Sequence, residues 1–522
     1  MSVAVTVEGP APASVSGALR FALVAGLVAA LFIGLPLAIF PGLASSDTYR
    51  HLQWAFLLRT SPPGAIREFP AFTLMHLEGV DLWWLYHRLL LPFTFLDREV
   101  AMRVAAAVYG GVGLGAIAFA QRRLCPSPLR AAALFGLLLA FGTDLVQRAT
   151  AARPSPLTVG LLALTALAYV ERRAALLLLL AFLHGWLHIT VVLQGVLGIA
   201  ALGAGLFLER RAPWRLIAAG ALGSVLGMLA HPSPLKYLHV LWVQGTAPLV
   251  ASRAGFPDMG LELYAPDATD LLLAAPMHLA FALTLLGTLQ ALRRRTIARE
   301  ELFLALAVLG MFAFGLRARR FLDFTEALEA VYIAQALRFV GPLARPALRR
   351  ASLALLPLGL LVNLSLFERY LGHPPQFERL GKAAAAVAKG APPGTVVFHD
   401  EWRSWPTLFY FDPTHRYVIG ADQLLMLSAD PHRFWLWFHL SNEGKACSAP
   451  SFAPGACPDV ASTPQEVQRA LAEFGARAAV LDDTALRPAL RDVMRSDPAR
   501  FPLLYTGSGD DADIEAFAVV PP

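Results

Sequence analysis

Residues 45–64 read SSDTYRHLQWAFLLRTSPPG and residues 68–97 read EFPAFTLMHLEGVDLWWLYHRLLLPFTFLD. The stretch follows the first strongly apolar run of the chain and precedes the second, so it reads as a loop between two membrane spans. At roughly fifty residues it is longer than a connection needs to be, which points to function. Asp47, Arg50, His51 and Trp54 fall at i, i+3, i+4 and i+7. A helix capped by Ser45 or Ser46 places them on one face. Glu78, Asp81, Tyr86, His87 and Arg88 follow among tryptophans just before the second span, at the depth of a membrane-surface site. A purely structural reading stays open: Asp47 in a first helical turn complements the helix dipole, and Trp83 and Trp84 serve as interfacial anchors. Ionisable groups gathered between apolar spans are costly, and that favours a functional reading.

The rest of the 522-residue chain fits a membrane setting. It is 56% hydrophobic, with a mean hydropathy of +0.53, which is long and apolar enough for a polytopic membrane domain plus one more domain. The formal charge of +6 does not imply nucleic acid, because the arginines come in short clusters between apolar runs. That is the pattern of a topology signal. Apolar runs near 18–40, 98–120, 129–146, 156–170, 174–188, 189–208, 214–230, 271–291, 300–316, 325–343 and 351–368 predict eleven spans. The stretch 174–208 would be roughly 50 Å long as one helix against a hydrocarbon core of ~30 Å, so a break is expected at His184-Gly-Trp-Leu-His188. The first run, preceded by Arg20 and without a cleavage site, reads as a retained helix.

Arg122, Arg123, Arg130, Arg172, Arg173, Arg210, Arg211, Arg215, Arg293 to Arg295, Arg299, Arg345, Arg349 and Arg350 share one side, which the positive-inside rule makes cytoplasmic. The N-terminus is then cytoplasmic, while the first loop (41–97), the loop from Asp258 to Asp270 and the C-terminal region are extracytoplasmic. Arg148 and Arg153 in QRATAARPSP, and Arg317, Arg319 and Arg320 in GLRARRFLDF, fall on the outer side instead. They pair with Asp144, Asp323 or Glu326, or they bind phosphate, for which the planar guanidinium is suited. His184 and His188 lack a third ligand and read as a hydrogen-bonded cavity lining.

Beyond residue 368 the apolar runs shorten. Strands are expected at 395–399, 416–420, 476–482, 501–505 and 515–520, with helices at 464–474 and 486–495, giving a small α/β domain over 369–522. Cys125 falls in an inner loop and should stay reduced. Cys447 and Cys457 bracket a Ser/Ala/Pro/Gly loop in the outer region and should pair.

An acidic residue after the first span followed by an aromatic and a basic or histidine position, here Asp47, Tyr49, Arg50 and His51, resembles the first outer loop of the GT-C membrane glycosyltransferases. Asp47-Thr-Tyr-Arg-His, Val80-Asp81, Leu85-Tyr86-His87, HPSP at 231–234 with Lys236 and His239, WRSWPTLFYF at 402–411 and Gly475-Ala-Arg477 together are similar to a bacterial group of GT-C-like proteins with an extracytoplasmic C-terminal domain. The resemblance implies a mainly α, polytopic transmembrane fold. It also implies transfer of a sugar from a polyprenyl-phosphate donor to a glycan, lipid or protein acceptor at the outer face of the cytoplasmic membrane. In such a transfer a carboxylate deprotonates the acceptor while basic groups neutralise the departing lipid phosphate. On this chain the resemblance makes Asp47 the base and Asp81 or Glu78 a second carboxylate orienting acceptor or metal. Tyr49, Arg50, His51 and His87 are then polar neighbours, and Arg153, Arg317 and Arg320 are phosphate contacts. A divalent cation, Mg²⁺ or Mn²⁺, stays open as a cofactor, since the loop holds no Asp-x-Asp pair. The alternative is a non-catalytic relative that carries lipid-linked glycan or serves envelope assembly.

Overall fold

The computed structural model describes residues 13–42, 45–61, 70–251, 263–337, 345–371, 376–450, 457–482, 488–508 and 512–522. Asp258, residues 338–343 of the expected 325–343 span and residues 486–487 of the expected last helix lie outside them. Helix α1 (Val15–Ile39) leads into α2 (Asp47–Thr60), α3 (Leu74–Glu78) and α4 (Trp84–Leu90), which are the helices of the long first loop. The membrane part continues through α5 (Arg98–Leu124), α6 (Pro128–Phe141), α7 (Thr143–Ala149), α8 (Ser155–Val170), α9 (Ala174–Leu187), α10 (Gln194–Ala204), α11 (Trp214–Leu229) and α12 (Pro234–Ala251). It is completed by α13 (Ala268–Leu273), α14 (Ala275–Arg293), α15 (Arg299–Arg317), α16 (Leu322–Ala336) and α17 (Arg345–Leu371).

Among the described residues, four helices are long and apolar enough to cross a membrane, or up to six if each of two bent pairs is one span. Small residues hold them together. A Cβ added at Gly111 of α5 would meet the Gly26 carbonyl of α1 at 2.7 Å, and one at Gly227 of α11 would meet the Phe182 carbonyl of α9 at 2.1 Å. Backbones that approach this closely supply the packing that lipid, being as apolar as leucine, cannot drive.

The break expected at 184–188 is present: α9 stops at Leu187 and His188 is extended before α10 begins. The single span expected over 129–146 is instead α6 and α7, bent by 77°. A carboxylate from α16 stabilises the bend. Glu326, fully buried, accepts hydrogen bonds from the Leu145 amide at 2.9 Å and the Asp144 amide at 3.4 Å, satisfying donors that the new helix start leaves open.

The C-terminal part comprises α18 (Gln376–Gly390), β1 (Val396–His399), α19 (Trp405–Phe411), β2 (Arg416–Tyr417), α20 (Gln423–Ala429), α21 (Pro431–Glu443), α22 (Pro464–Glu473), β3 (Ala476–Leu481), α23 (Pro488–Arg495), β4 (Leu503–Thr506) and β5 (Glu515–Ala518). The sheet order is β2-β1-β3-β5-β4, parallel from β2 to β3 and antiparallel beyond. Phe398, Trp435, Phe474 and Phe501 fill a core of its own, but Trp405, Leu408 and Tyr417 belong to the same buried cluster as the transmembrane helices. This region therefore sits directly on the first loop. The Tyr49 and Tyr410 rings meet edge to face at 5.0 Å, and the Ala71 amide donates to the Tyr417 carbonyl at 2.7 Å.

Cys447 and Cys457 form a disulfide, and Cys125 is buried and free. The two cysteines are 10 residues apart, and closing so short a loop is worth about 2–3 kcal/mol. A Cys447→Ala, Cys457→Ala double variant should therefore lower the unfolding temperature while the protein still inserts and folds. Non-reduced peptide mass spectrometry finding both thiols free in protein from its native membrane would count against the bridge.

Candidate functional site

The start of α2 carries the site. Asp47 Oδ1 forms an ion pair with Arg50 Nε at 2.9 Å, and its other oxygen pairs with Arg153, which arrives from the turn between α7 and α8. Arg50 is buried and lies flat over Trp83, its guanidinium carbon 4.0 Å from the ring centroid, with Trp405 5.9 Å away on α19. Two aromatic faces and one carboxylate thus fix a guanidinium that a disordered side chain would pay entropy to place.

These groups open onto a cavity of about 210 Å³ roofed by the C-terminal region. Arg50, Arg148, Arg153, Arg320 and Arg403 line it with the carboxylates of Asp47 and Asp422, while Arg148 also pairs with Asp323 at 3.6 Å and Arg403 with Glu401 at 3.0 Å, so the positive surplus is small. Ala421, also on the wall, holds φ 63°, a left-handed backbone that a non-glycine residue adopts at a cost of about 1–3 kcal/mol and that concentrates at functional sites.

Behind Arg50 runs a second chain of contacts. Asp81 Oδ1 accepts from the Trp83 amide at 2.9 Å and Oδ2 meets His87 Nδ1 at 2.6 Å. His87 Nε2 then meets His51 Nδ1 at 2.8 Å. His231 Nε2 donates to the Asp81 carbonyl at 2.9 Å. Both linking imidazoles are buried, and His51 also lines the cavity. Burial first, and then the charge of Arg50, holds His51 well below the ordinary imidazole range, so its ring is neutral at pH 7.

Other expected site residues stand elsewhere. Glu78 accepts from His239 Nδ1 at 3.0 Å and, through its carbonyl, from Lys236 Nζ at 3.0 Å, outside the cavity. Tyr49 lines a neighbouring hollow of about 450 Å³ with Arg103, Tyr410 and Phe411. Arg317 is exposed at the end of α15 and does not line the arginine cavity. Arg320 does, and Arg319 is paired with Asp144 at 3.1 Å and Asp270 at 3.0 Å. Asp47 and Asp81 do not converge, since one is held by arginines and the other by His87, so the residues present do not fit a divalent ion shared between them. Among the described residues the one metal-like grouping is His439 with Cys447 and Cys457, whose sulfurs are bonded to each other. His184 is hydrogen-bonded to Thr190 at 2.9 Å and Gln194 at 3.0 Å, while His188 joins the cavity wall. The sequence reading missed Arg403 and Asp422. For Arg403 a signal was present in the aromatic-rich 402–411 segment.

No protein-family model matches the sequence and no curated protein matches it. The structure nonetheless resembles ArnT from Cupriavidus metallidurans bound to undecaprenyl phosphate, with TM-score 0.56 and 15% identity over 97% of this chain and 99% of that one. The apo form of the same ArnT gives TM-score 0.55 at 14% identity. The archaeal oligosaccharyltransferase AglB from Archaeoglobus fulgidus, in complex with an inhibitory peptide and a dolichol-phosphate, gives TM-score 0.56 at 11% identity over 89% of this chain and 70% of that one. At such identities the likeness is one of fold: the chain shares the fold of ArnT and of AglB over most of its length.

Proposed function

We propose that the protein is a membrane glycosyltransferase that moves a sugar from a polyprenyl-phosphate donor to an acceptor hydroxyl at the outer face of the cytoplasmic membrane. The observation that carries this reading is the arginine-lined cavity at the head of α2, where Arg50, Arg148, Arg153 and Arg320 face one small space. A lipid phosphate that gains charge as its sugar leaves is the chemistry such a cluster serves, since preorganised cations stabilise charge that develops in the transition state. The disulfide supports an extracytoplasmic C-terminal region, because such bonds persist in oxidising compartments.

The test is transfer by purified protein supplied with a panel of undecaprenyl-phosphate sugars and membrane extract as acceptor source. Release of undecaprenyl phosphate with sugar appearing on an acceptor is the expected result. Binding of undecaprenyl phosphate without turnover of any donor would move the assignment to a carrier of lipid-linked glycan.

Asp47 takes a role different from that of base in this reading. Its oxygens face Arg50 and Arg153, so it holds the guanidinium groups in place and occupies them until phosphate arrives. Asp47→Asn removes a competing anion, and binding of undecaprenyl phosphate should stay at or above the wild-type level. An affinity drop as large as that of an arginine variant would show that the carboxylate itself contacts the ligand, for instance through a bound cation.

A further inference from the structure

We propose that His51 is the proton acceptor of the transfer, with His87 and Asp81 as the residues that position it; this rests on the glycosyltransferase reading above. A carboxylate only accepts, so the proton in the 2.6 Å contact between Asp81 Oδ2 and His87 belongs to His87 Nδ1. With a single proton on His87, its Nε2 offers a lone pair, and the 2.8 Å contact to His51 then places a proton on His51 Nδ1. That leaves the lone pair of His51 on Nε2, the ring nitrogen not spent in the chain. His51 is also the member of the chain that lines the arginine cavity.

The surroundings hold this arrangement still. The Trp83 and Tyr86 rings stand edge-on to His51, each with its centroid 5.2 Å away, and Trp54 stacks on His87 with the ring planes 8° apart. Asp81 is pinned by the Trp83 amide at 2.9 Å. Such a carboxylate, imidazole and imidazole order fixes tautomers in the manner of the serine hydrolase triad, with the reactive nitrogen at the far end. Asp47 shares the cavity, but each of its oxygens is already engaged by a guanidinium.

In the step itself the acceptor oxygen bonds to the anomeric carbon. The bond from that carbon to the phosphate oxygen breaks, and its electron pair stays on polyprenyl phosphate. The hydroxyl proton passes to His51 Nε2. The imidazolium so formed keeps its Nδ1–H on His87, whose own Nδ1–H keeps the Asp81 carboxylate as balancing charge, and the proton leaves to water after the product departs. Burial, Arg50 and the imidazoles of His87 and His188 hold His51 neutral down to a pH below the ordinary 6.5. Of the other charges on the cavity, Arg153 is paired with Asp47, Arg148 with Asp323 and Arg403 with Glu401, so Arg50 is the charge that acts most on His51. Activity should therefore persist at pH 6 and fall only as pH drops through the lowered value.

The experiment uses the full-length protein in the transfer assay with the sugar donor it accepts. His51→Asn should lower kcat by about 10²- to 10⁴-fold, the range for a positioned general base, with undecaprenyl phosphate binding retained. His51→Ala should regain turnover with added imidazole, more strongly as pH rises through the titration of that imidazole. Asp81→Asn, whose side chain is nearly isosteric, should lower kcat and move the acid limb to lower pH, because the imidazolium loses its balancing charge. A purely structural role for Asp81 would leave that limb where it was. A His51→Asn protein that transfers at the wild-type rate, or a His51→Ala protein that imidazole does not help, sinks the relay and leaves the transferase reading standing. A wild-type protein inert with every donor sinks both.

Discussion

Arg153→Ala is expected to weaken binding of undecaprenyl phosphate by about 10- to 100-fold, the effect of losing one hydrogen-bonded charge contact worth about 1.5–3 kcal/mol. Arg153 lines the cavity, and its guanidinium turns from Asp47 to the phosphate when the ligand binds. Its loss should also flatten the salt dependence of binding, since fewer cations meet the phosphate. Arg317→Ala is the comparison. That residue shares the basic cluster in the sequence but is exposed and outside the cavity, so its affinity should match the wild type. Titration of undecaprenyl phosphate against intrinsic tryptophan fluorescence measures both. Equal losses in the two variants would mean that the lipid phosphate meets a diffuse basic surface instead of this cavity.

The contrast between Arg317 and Arg320 shows where the sequence stopped being legible. Both follow the expected span 300–316, and in the sequence they belong to one basic cluster. The chain leaves α15 at Arg317 and turns extended at Ala318, φ −152°, so Arg319 and Arg320 point back toward Asp144, Asp270 and the cavity. A local break of this kind carries no periodic signal. The helical spacing of Asp47, Arg50, His51 and Trp54 was readable because period alone decides which side chains share a face, and the same period sends Tyr49 to the neighbouring hollow. The break at His188 was readable from length, because a helix much longer than the membrane is thick must bend or stop.

The bend at Gly142 was not readable, since the apolar run of 129–146 is continuous and the group that stabilises the bend, Glu326, is 181 residues away from Leu145. Asp81 and His87 are six residues apart, a spacing that neither helix nor strand brings together. They meet because Asp81 precedes α4 and its side chain folds back over the first turn. Arg403 reaches the site only because the sheet region seats α19 on α2, a contact settled by burial of Tyr49, Trp54, Phe409 and Tyr410 and not by any local pattern.

The largest stability loss is expected at Gly113. A Cβ there would lie 2.1 Å from the Pro156 carbonyl oxygen and 2.6 Å from its carbon, both backbone atoms that cannot rotate away. Gly160 of α8 faces the same seam, its own added Cβ meeting the Gly113 carbonyl at 2.9 Å, so α5 and α8 can only separate. Overpacking of this kind costs about 1–3 kcal/mol and more where backbone must move. The consequence reaches the cavity, because Pro156 lies in the first turn of α8 and Arg153 is three residues before it. Pushing that helix start outward draws the guanidinium out of the cavity. Gly113→Ala should therefore lower both the apparent unfolding temperature and the affinity for undecaprenyl phosphate. Gly195→Ala, where an added Cβ meets nothing within 4 Å, should raise the unfolding temperature slightly through the helix preference for alanine. Membrane proteins often unfold irreversibly, so both variants should be scanned in one detergent at one heating rate beside the wild type. A Gly113→Ala protein that unfolds with the wild type and binds the lipid phosphate equally well would show that the α5 and α8 backbones have room between them, and that the position of Arg153 does not depend on their contact.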